Sequence, residues 1–247
     1  MSSTERPGLT HLWLVRHGES AGNVARDAAE AAGAETIDIA QAREMDVPLS
    51  PLGEQQARAL ARWFANQPER PSLIVASPYL RARRTAEIVA DTHGATLRID
   101  ERLREKEMGS LDRLTRAGVL ARFPREAELR ARLGKFYYRP PGGESWCDVL
   151  FRVRAVLDHL RIVRPDERIL LVAHQVVVMC ARVAIEHLDE QQILAIDRSA
   201  DIVNCGITSY VANARGDLEL TAYNIAAPLE DAATHVTAEP PRGGAPS

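Results

Sequence analysis

Basic or imidazole side chains follow three apolar runs of the sequence, at the point where each run ends. These side chains belong to Arg16, His17, Arg81 and His174. An Arg guanidinium makes two charge-assisted hydrogen bonds to one phosphate group, and a neutral imidazole nitrogen is a competent nucleophile toward phosphorus. Because carboxyl ends of parallel strands meet at one edge of a sheet, the four side chains are expected to converge there. The sequence therefore indicates an anion site at which His17 could become phosphorylated.

Hydrolysis of a phosphate ester also needs a proton donor for the leaving oxygen. A segment rich in carboxylates follows the third predicted strand and offers several candidates. They are Asp100, Glu101, Glu105, Glu107 and Asp112. Residue types alone do not choose among them.

Short apolar runs that read as strands alternate with segments of helical periodicity. The runs cover residues 11–15, 73–76, 96–99 and 169–173. Ser50-Pro51 and Ser77-Pro78 each predict a helix start, because Ser is a favoured N-cap and Pro is favoured at the first helical position. This alternation predicts a three-layer α/β/α domain with a mostly parallel central sheet.

The remaining segments complete this architecture. Ser145 and Asp148 have the spacing of a capping box and predict the start of a long helix. The alternating runs 202–211 and 218–223 predict a hairpin that adds an antiparallel edge to the sheet. Residues 24–47 are predicted to form a partly helical excursion on the surface.

Composition is that of an ordinary globular chain and limits the classes of function. The 247 residues are 45% hydrophobic and 26% charged, and the formal net charge is -3. This charge argues against a nucleic-acid-binding protein, and no apolar run is long enough for a membrane span. Three cysteines without paired spacing predict neither a disulfide framework nor a zinc site. Without a secretory signal pattern, a cytoplasmic location is expected.

We predict a single domain over residues 9–228, since no linker or internal repeat interrupts that range. Residues 1–8 are polar, and residues 229–247 are rich in Ala, Pro, Gly, Glu and Thr. Both ends are therefore predicted to be disordered tails. The oligomeric state stays open, with a homodimer as one option.

Six ordered blocks of the sequence resemble the motifs of one known family. The blocks are Arg16-His17-Gly18-Glu19-Ser20 with Asn23, Asp46 to Gly53, Ser77 to Ala82 with Thr85, Leu103-Glu105-Gly109, Gly143-Glu144-Ser145 with Arg152, and Val172-Ala173-His174. Together they resemble the histidine phosphatase superfamily, which includes the cofactor-dependent phosphoglycerate mutases. The resemblance runs from about residue 11 to residue 225.

The resemblance implies a role for each matching position. His17 would be the phosphorylated nucleophile, and Glu105 would be the general acid and then the base, with Glu107 as the fallback. The phosphate would be held by Arg16, Arg81 and His174 with help from Asn23, and further candidates for contacts with the phosphate or the substrate are Gly18, Glu19 and Gln175. No metal and no cofactor is implied, and the partner is a small phosphorylated substrate. Gln175 departs from the family pattern, which usually has Gly after the second histidine.

Phosphatases and mutases of this family differ in the segment before the Gly-Glu-Ser block. Mutases carry a long insertion there, whereas the segment between Glu105 and Gly143 is short in this chain. The stretch that ends it is similar to that of phosphatase members, which implies substrate contacts from Lys135, Tyr137 and Arg139. We therefore expect a metal-independent phosphatase that acts through a phosphohistidine.

Two alternatives remain at the level of the sequence. One is a phosphoglycerate mutase, which would isomerise its substrate. The other is a protein that binds a phosphorylated ligand without turnover, and Gln175 is the residue that keeps this alternative open.

Overall fold

The computed structural model describes residues 9–41, 43–163, 167–199 and 201–238, and within them it has a mixed six-stranded sheet. The strands are β1 (His11–Arg16), β2 (Leu73–Ala76), β3 (Thr96–Ile99), β4 (Arg168–Ala173), β5 (Ile207–Ala212) and β6 (Leu218–Ile225). Their order across the sheet is β3-β2-β4-β1-β5-β6. The first four pair in parallel, and β5 pairs antiparallel with both β1 and β6. The predicted α/β fold class is confirmed.

Helices cover both faces of the sheet. They are α1 (Ala21–Ala31), α2 (Pro51–Ala65), α3 (Leu80–His93), α4 (Arg116–Arg122), α5 (Pro124–Tyr137), α6 (Trp146–Val163), α7 (Gln175–Glu186), α8 (Glu190–Ser199) and α9 (Ala227–Asp231). Short 3-10 turns occur at Glu44–Asp46, Glu101–Leu103 and Gly109–Leu111. Within the described ranges, no helix combines the length and the apolar character that a bilayer crossing requires.

The alternation of side chains along β1 divides the core into two layers. Leu12 and Leu14 face the layer formed with α6 and α7, whereas Trp13 and Val15 face the layer formed with α2 and α3. Successive side chains of a strand point to opposite faces, so a fully apolar strand must be covered on both sides. The central strands are therefore held in fixed positions, and so are the residues at their ends.

Sheet order brings the carboxyl ends of β2, β4 and β1 next to one another. The backbone N–H of His17 donates to Ala173 O at 3.0 Å, and that of Ser77 donates to Val172 O at 3.0 Å. The ladder thus continues one residue beyond each strand. It places His17, Ser77 and His174 side by side.

Helix starts agree with the sequence at two of three places. Ser50 caps α2 and accepts a hydrogen bond from Gly53 N at 3.0 Å, and Ser145 with Asp148 forms the capping box before α6. The helix start predicted at Ser77-Pro78 is wrong, because α3 begins at Leu80 with Tyr79 as its N-cap. Helix α8 lies in a segment for which the sequence analysis makes no prediction.

The predicted disorder from residue 229 onward does not hold for residues 229–238. Leu229 is fully buried, and Val203 pairs with Ala238 in an isolated antiparallel bridge. The composition of this segment is typical of a tail, but its polar groups bond to the domain. These bonds offset part of the conformational entropy that is lost when the segment becomes ordered. Residues 1–8 and 239–247, also predicted to be tails, lie outside the described residues.

Candidate active site

His17 lies at the end of β1 and is almost completely buried. Its Nδ1 lies 2.7 Å from the carbonyl oxygen of Gly18, which can only accept, so Nδ1 carries the proton. The lone pair is therefore on Nε2, and Arg81 Nε donates to it at 3.1 Å. This arrangement places the unprotonated ring nitrogen next to the guanidinium, so a phosphoryl group bound to Arg81 would lie close to a nucleophile.

His174 packs its ring against that of His17, with ring centroids 5.1 Å apart. It is fully buried, and its Nε2 lies 2.8 Å from Ser77 Oγ. Burial holds the pKa of His174 well below its usual range, and the positive charge of Arg81 acts in the same direction. The ring is therefore neutral at neutral pH, and a phosphoryl dianion bound beside it would favour its protonated form.

Arg81 projects from the first turn of α3, and only 4% of its side chain is exposed. Besides the bond to His17, its Nη1 donates to Glu44 O at 3.0 Å, and its Nη2 lies 3.1 Å from Glu44 Oε1. Each of the three guanidinium nitrogens of Arg81 therefore has a partner within the protein. Glu44 comes from the 3-10 turn after α1 and was not among the predicted site residues.

Arg16 is buried behind the histidines. Its Nη1 donates to Ile202 O at 2.6 Å, and its carbonyl oxygen accepts from Cys205 N at 2.9 Å. The residue is 1% exposed and lowers the pKa of His174 through its charge, although burial is the larger cause. Arg16 therefore contributes fixed positive charge next to the imidazoles.

The carboxylates of Glu105 and Glu107 are aimed at different partners. Glu105 Oε2 lies 3.7 Å from His174 Nδ1, whereas Glu107 Oε1 accepts a hydrogen bond from the Tyr79 hydroxyl at 3.0 Å. Both residues line the same cavity as His17. Glu105 is the carboxylate that faces the pair of histidines.

A buried ion pair holds the acid-bearing loop in place. Arg152 on α6 makes two hydrogen bonds to Glu144, at 3.0 and 2.9 Å. Its remaining donors reach three successive parts of the loop, namely the carbonyl oxygens of Arg102, Arg104 and Glu105. Burial alone would raise the pKa of Glu144, but the hydrogen bonds and charge of Arg152 outweigh it and lower the pKa. Arg152 is thus a positioning residue for Glu105.

We expect Arg152→Lys to lower kcat by roughly 10²-fold, the cost of a misplacement of about 1 Å at a reacting group. Lysine keeps the charge but cannot bond to Glu144 and three carbonyl oxygens at once. The matched control is Arg154→Lys, two residues along the same helix on its exposed side. Steady-state kinetics should show a loss in kcat with little change in KM. Equal kinetics of the two variants would contradict the positioning role.

A chain of hydrogen bonds joins the C-terminal segment to the backbone of the nucleophile. Asn204 Nδ2 donates to His17 O at 2.9 Å, and its Oδ1 accepts from Thr237 Oγ1 at 3.0 Å. Gln56 Nε2 donates to the same Thr237 oxygen at 2.9 Å, and Gln56 Oε1 accepts from Glu19 N at 2.8 Å. The C-terminal segment is therefore hydrogen-bonded, through Asn204 and Gln56, to the backbone of the loop that carries His17.

Replacing Asn204 by alanine should lower the free energy of unfolding by about 1–3 kcal/mol, because buried partners on His17 and Thr237 lose their bonds. Denaturant unfolding measures this loss, and kcat should fall with it. Asn66→Ala, at an exposed helix end, should change the free energy of unfolding by less than about 0.5 kcal/mol. Similar losses in the two variants would contradict the account.

The loop after His17 packs backbone against backbone. A Cβ on Gly18 would lie 2.6 Å from Gly53 O, and one on Gly53 would overlap the carbonyl group of Glu19. The Glu19 carboxylate accepts a hydrogen bond from Ser50 Oγ at 2.6 Å. Gly18 and Glu19 were predicted to bind substrate, but here they fix the loop to the start of α2.

An open cavity of about 140 Å³ lies in front of His17. This is far more than the roughly 15 Å³ that one water needs, so the cavity has room for a small ligand. It is lined by His17, Ser20, Gly22, Asn23, Arg26, Ile39, Glu44, Tyr79, Arg81, Glu105, Lys106, Glu107, Met108, Gly109 and Asp112. Asn23 belongs to this lining, and its Oδ1 also accepts from Ser20 in the capping box of α1.

The three substrate contacts predicted from the segment before Gly143 are not among the residues that line this cavity. Lys135 Nζ lies 2.6 Å from Asp197, a buried carboxylate on α8, and Tyr137 is about half exposed. Arg139 forms an ion pair with Asp148. Ionic partners on other helices hold Lys135 and Arg139 elsewhere, so the structure does not bring these residues to the site. Gln175 begins α7 and is also absent from the lining.

In the part of the chain that the structure describes, no three His, Cys, Asp or Glu side chains come close enough together to hold a metal ion. The groups that meet at the cavity are the His17 imidazole, Arg81 and carboxylates, and the His174 ring packs against that of His17. This set can bind an anion, attack it and move a proton.

Comparisons with known proteins agree with this arrangement. Residues 12–225 match a profile described as the histidine phosphatase superfamily (branch 1). A protein of Photorhabdus laumondii named probable phosphoglycerate mutase is 33% identical over 174 residues, which cover 70% of this chain and 73% of that protein.

Two solved structures illustrate the likeness of the fold. A mycobacterial glucosyl-3-phosphoglycerate phosphatase in complex with VO3 aligns with a TM-score of 0.69 and 28% identity, over 88% of this chain and 100% of that one. The alpha-ribazole phosphatase of Shigella flexneri aligns with a TM-score of 0.70 and 20% identity, over 87% of this chain and 96% of that one.

Proposed function

We propose, because the chain belongs to the histidine phosphatase superfamily, that it hydrolyses a small phosphate monoester through a phosphohistidine on His17. The observation that carries the proposal is the pairing of two side chains. The unprotonated Nε2 of His17 lies 3.1 Å from Arg81 Nε, so the nucleophile and the anion-binding group are direct neighbours. No metal ion takes part in the proposed steps.

The first step transfers the phosphoryl group to the protein. His17 Nε2 attacks phosphorus in line with the ester oxygen, a nitrogen–phosphorus bond forms, and the phosphorus–oxygen bond to the leaving group breaks. Glu105 gives its proton to the leaving oxygen and becomes a carboxylate. Arg16, Arg81 and protonated His174 stabilise the charge on the other phosphoryl oxygens.

The second step returns the protein to its starting state. The Glu105 carboxylate takes a proton from a water molecule, whose oxygen attacks phosphorus. The nitrogen–phosphorus bond breaks, inorganic phosphate leaves, and Glu105 is again protonated. Glu105 thus acts as an acid in the first step, where it gives a proton to the leaving oxygen, and as a base in the second, where it takes a proton from water.

A phosphoglycerate mutase is the second candidate, and the name of the Photorhabdus relative favours it. Two features of this chain favour hydrolysis instead. The segment between Glu105 and Gly143 is short, so nothing in it forms a long cover against water. The cavity wall also carries four carboxylates against three cationic side chains, which is a poor match for a bisphosphorylated acid.

Release of inorganic phosphate from a panel of phosphorylated metabolites tests the proposal. In parallel, 3-phosphoglycerate with a trace of 2,3-bisphosphoglycerate tests for conversion to 2-phosphoglycerate. We expect release of phosphate from at least one small monoester and no isomerisation. Isomerisation faster than release would replace the proposal by the mutase, and tight binding without either reaction would indicate a non-catalytic binding protein.

A further inference from the structure

We propose that Glu44 determines specificity, and that it makes the site select phosphate monoesters whose organic part carries hydroxyl groups rather than a second anion. The inference rests on the proposed phosphatase function, since it concerns the substrate of that same cavity. It starts from the contact between Glu44 and Arg81.

Glu44 occupies the position on Arg81 that a phosphoryl oxygen needs. Its carboxylate oxygen lies 3.1 Å from Arg81 Nη2, and its backbone oxygen accepts from Nη1 at 3.0 Å. Arg81 Nε also donates to His17, so each of the three guanidinium nitrogens already has a partner within the protein. A phosphoryl group that binds Arg81 through Nη2 therefore competes with the Glu44 carboxylate for that nitrogen.

The displaced carboxylate cannot move far from the cavity. The 3-10 turn that carries it is followed by the fully buried Val47, and Arg43 pairs with Asp46 across the same turn. Upstream, Ile37 N donates to Arg113 O at 2.8 Å. We therefore expect Glu44 to remain among the residues that line the cavity when its side chain changes rotamer.

Charged groups of four elements face Glu44 there. Burial raises the pKa of Glu44; Arg81 opposes this, Asp112 and Glu105 add to it, and Arg26 also opposes it. The raised pKa indicates that the surroundings already disfavour negative charge at this point. A carboxylate or second phosphate on the substrate would add another negative charge to the same region, where the low dielectric strengthens repulsion.

The wall next to Arg81 supplies acceptors for hydroxyl groups. Glu107 and Asp112 line the cavity with Glu44, and Arg26 and Lys106 are its cations apart from Arg81. Ionised carboxylates are acceptors only, so they pair with O–H donors and repel an anionic ligand group, and they outnumber the cations that line the cavity. A polyol phosphate fits this wall better than a phosphorylated acid of the same size.

The test compares two ligands that differ only in this group. They are the non-hydrolysable methylene phosphonate analogues of glycerol 3-phosphate and of 3-phosphoglycerate. The first carries a CH₂OH group at the position where the second carries a carboxylate. Calorimetric titration at neutral pH gives both dissociation constants for the wild-type protein, for Glu44→Gln and for Glu69→Gln. Glu69 is an exposed carboxylate that is absent from the cavity lining and serves as the matched control.

We expect wild-type protein to bind the alcohol at least about tenfold more tightly than the acid, a difference of about 1.4 kcal/mol. The preference should fall to less than about threefold in Glu44→Gln and persist in Glu69→Gln. Glu44→Gln should also bind inorganic phosphate more tightly, because nothing charged competes for Arg81. Its melting temperature shows whether the variant is folded, and Glu44→Ala provides a second substitution.

Equal or tighter binding of the acid by the wild-type protein overturns the inference. So does a preference that Glu44→Gln leaves unchanged, or a failure of both ligands to bind at millimolar concentration. None of these readouts depends on turnover. A protein that keeps the preference but releases no phosphate from any monoester would instead contradict the proposed function.

Discussion

Replacing His17 by alanine is expected to lower kcat/KM for phosphate release by roughly 10⁴-fold or more, as removal of a covalent nucleophile does in other enzymes. The reason lies in how the ring is held. Nδ1 donates to Gly18 O and Arg81 donates to Nε2, so the lone pair is held in one direction. Alanine leaves the anion site without an attacking group.

No neighbouring group can take over this role. The neighbouring imidazole of His174 is fully buried and does not line the cavity, whereas His17 does. Release of phosphate from a small monoester measures the loss, and His159→Ala, at an exposed position of α6, is the control. If His17→Ala retained a tenth or more of the wild-type rate, with an unchanged melting temperature, the assigned nucleophile would be wrong.

Replacing Glu105 by glutamine should lower kcat by roughly 10²- to 10⁴-fold for an alkyl phosphate, the usual contribution of general acid catalysis. An alkoxide is a poor leaving group and must receive a proton as the bond breaks. p-Nitrophenolate leaves without one, so the loss for p-nitrophenyl phosphate should be much smaller. The comparison of the two substrates thus separates loss of the proton from loss of binding.

Glu107→Gln is the matched control, because Glu107 lines the same cavity but bonds to the Tyr79 hydroxyl. Its rate with the alkyl phosphate should fall by less than about tenfold. A larger loss of rate in Glu107→Gln than in Glu105→Gln would assign the role of general acid to Glu107. Equal losses of Glu105→Gln on the two substrates would mean that Glu105 does not donate the proton.

Much of the fold was predictable because the apolar runs of this chain are short and well separated. The bounds of β2 and β3 are those expected from residues 73–76 and 96–99. Parallel strands that are buried on both faces read as continuous apolar runs, and the residue that follows each run is then placed by the sheet itself. For this reason the proximity of His17 and His174 is predictable from the sequence. The same holds for Arg81, which lies in the first turn of the helix after β2.

Contacts between distant segments could not be predicted in the same way. Glu44 reaches Arg81 across 37 residues, and Lys135 meets Asp197 across 62 residues. A charged residue in a sequence is compatible with many partners, and only the folded chain selects one. The same limit applies to Asn204, whose bond to His17 O spans 187 residues.

Ser77 was assigned to a helix start for a sound local reason, yet the structure uses it differently. A Ser-Pro pair favours an N-cap, but here Ser77 Oγ contacts both Tyr79 N and His174 Nε2. The hydroxyl fixes the ring of His174 instead of capping α3. The preference of Ser for an N-cap position is therefore outweighed here by the contact of its hydroxyl with His174.

The central claim is that the phosphoryl group passes through His17, and trapping it tests this most directly. Wild-type protein is mixed with a ³²P-labelled monoester, quenched in alkali and digested, and the labelled peptide is identified by mass spectrometry. The account predicts an alkali-stable, acid-labile label on the peptide that contains His17, with none on His17→Ala. Label on another residue, or fast release of phosphate with no labelled protein at any time, would contradict it.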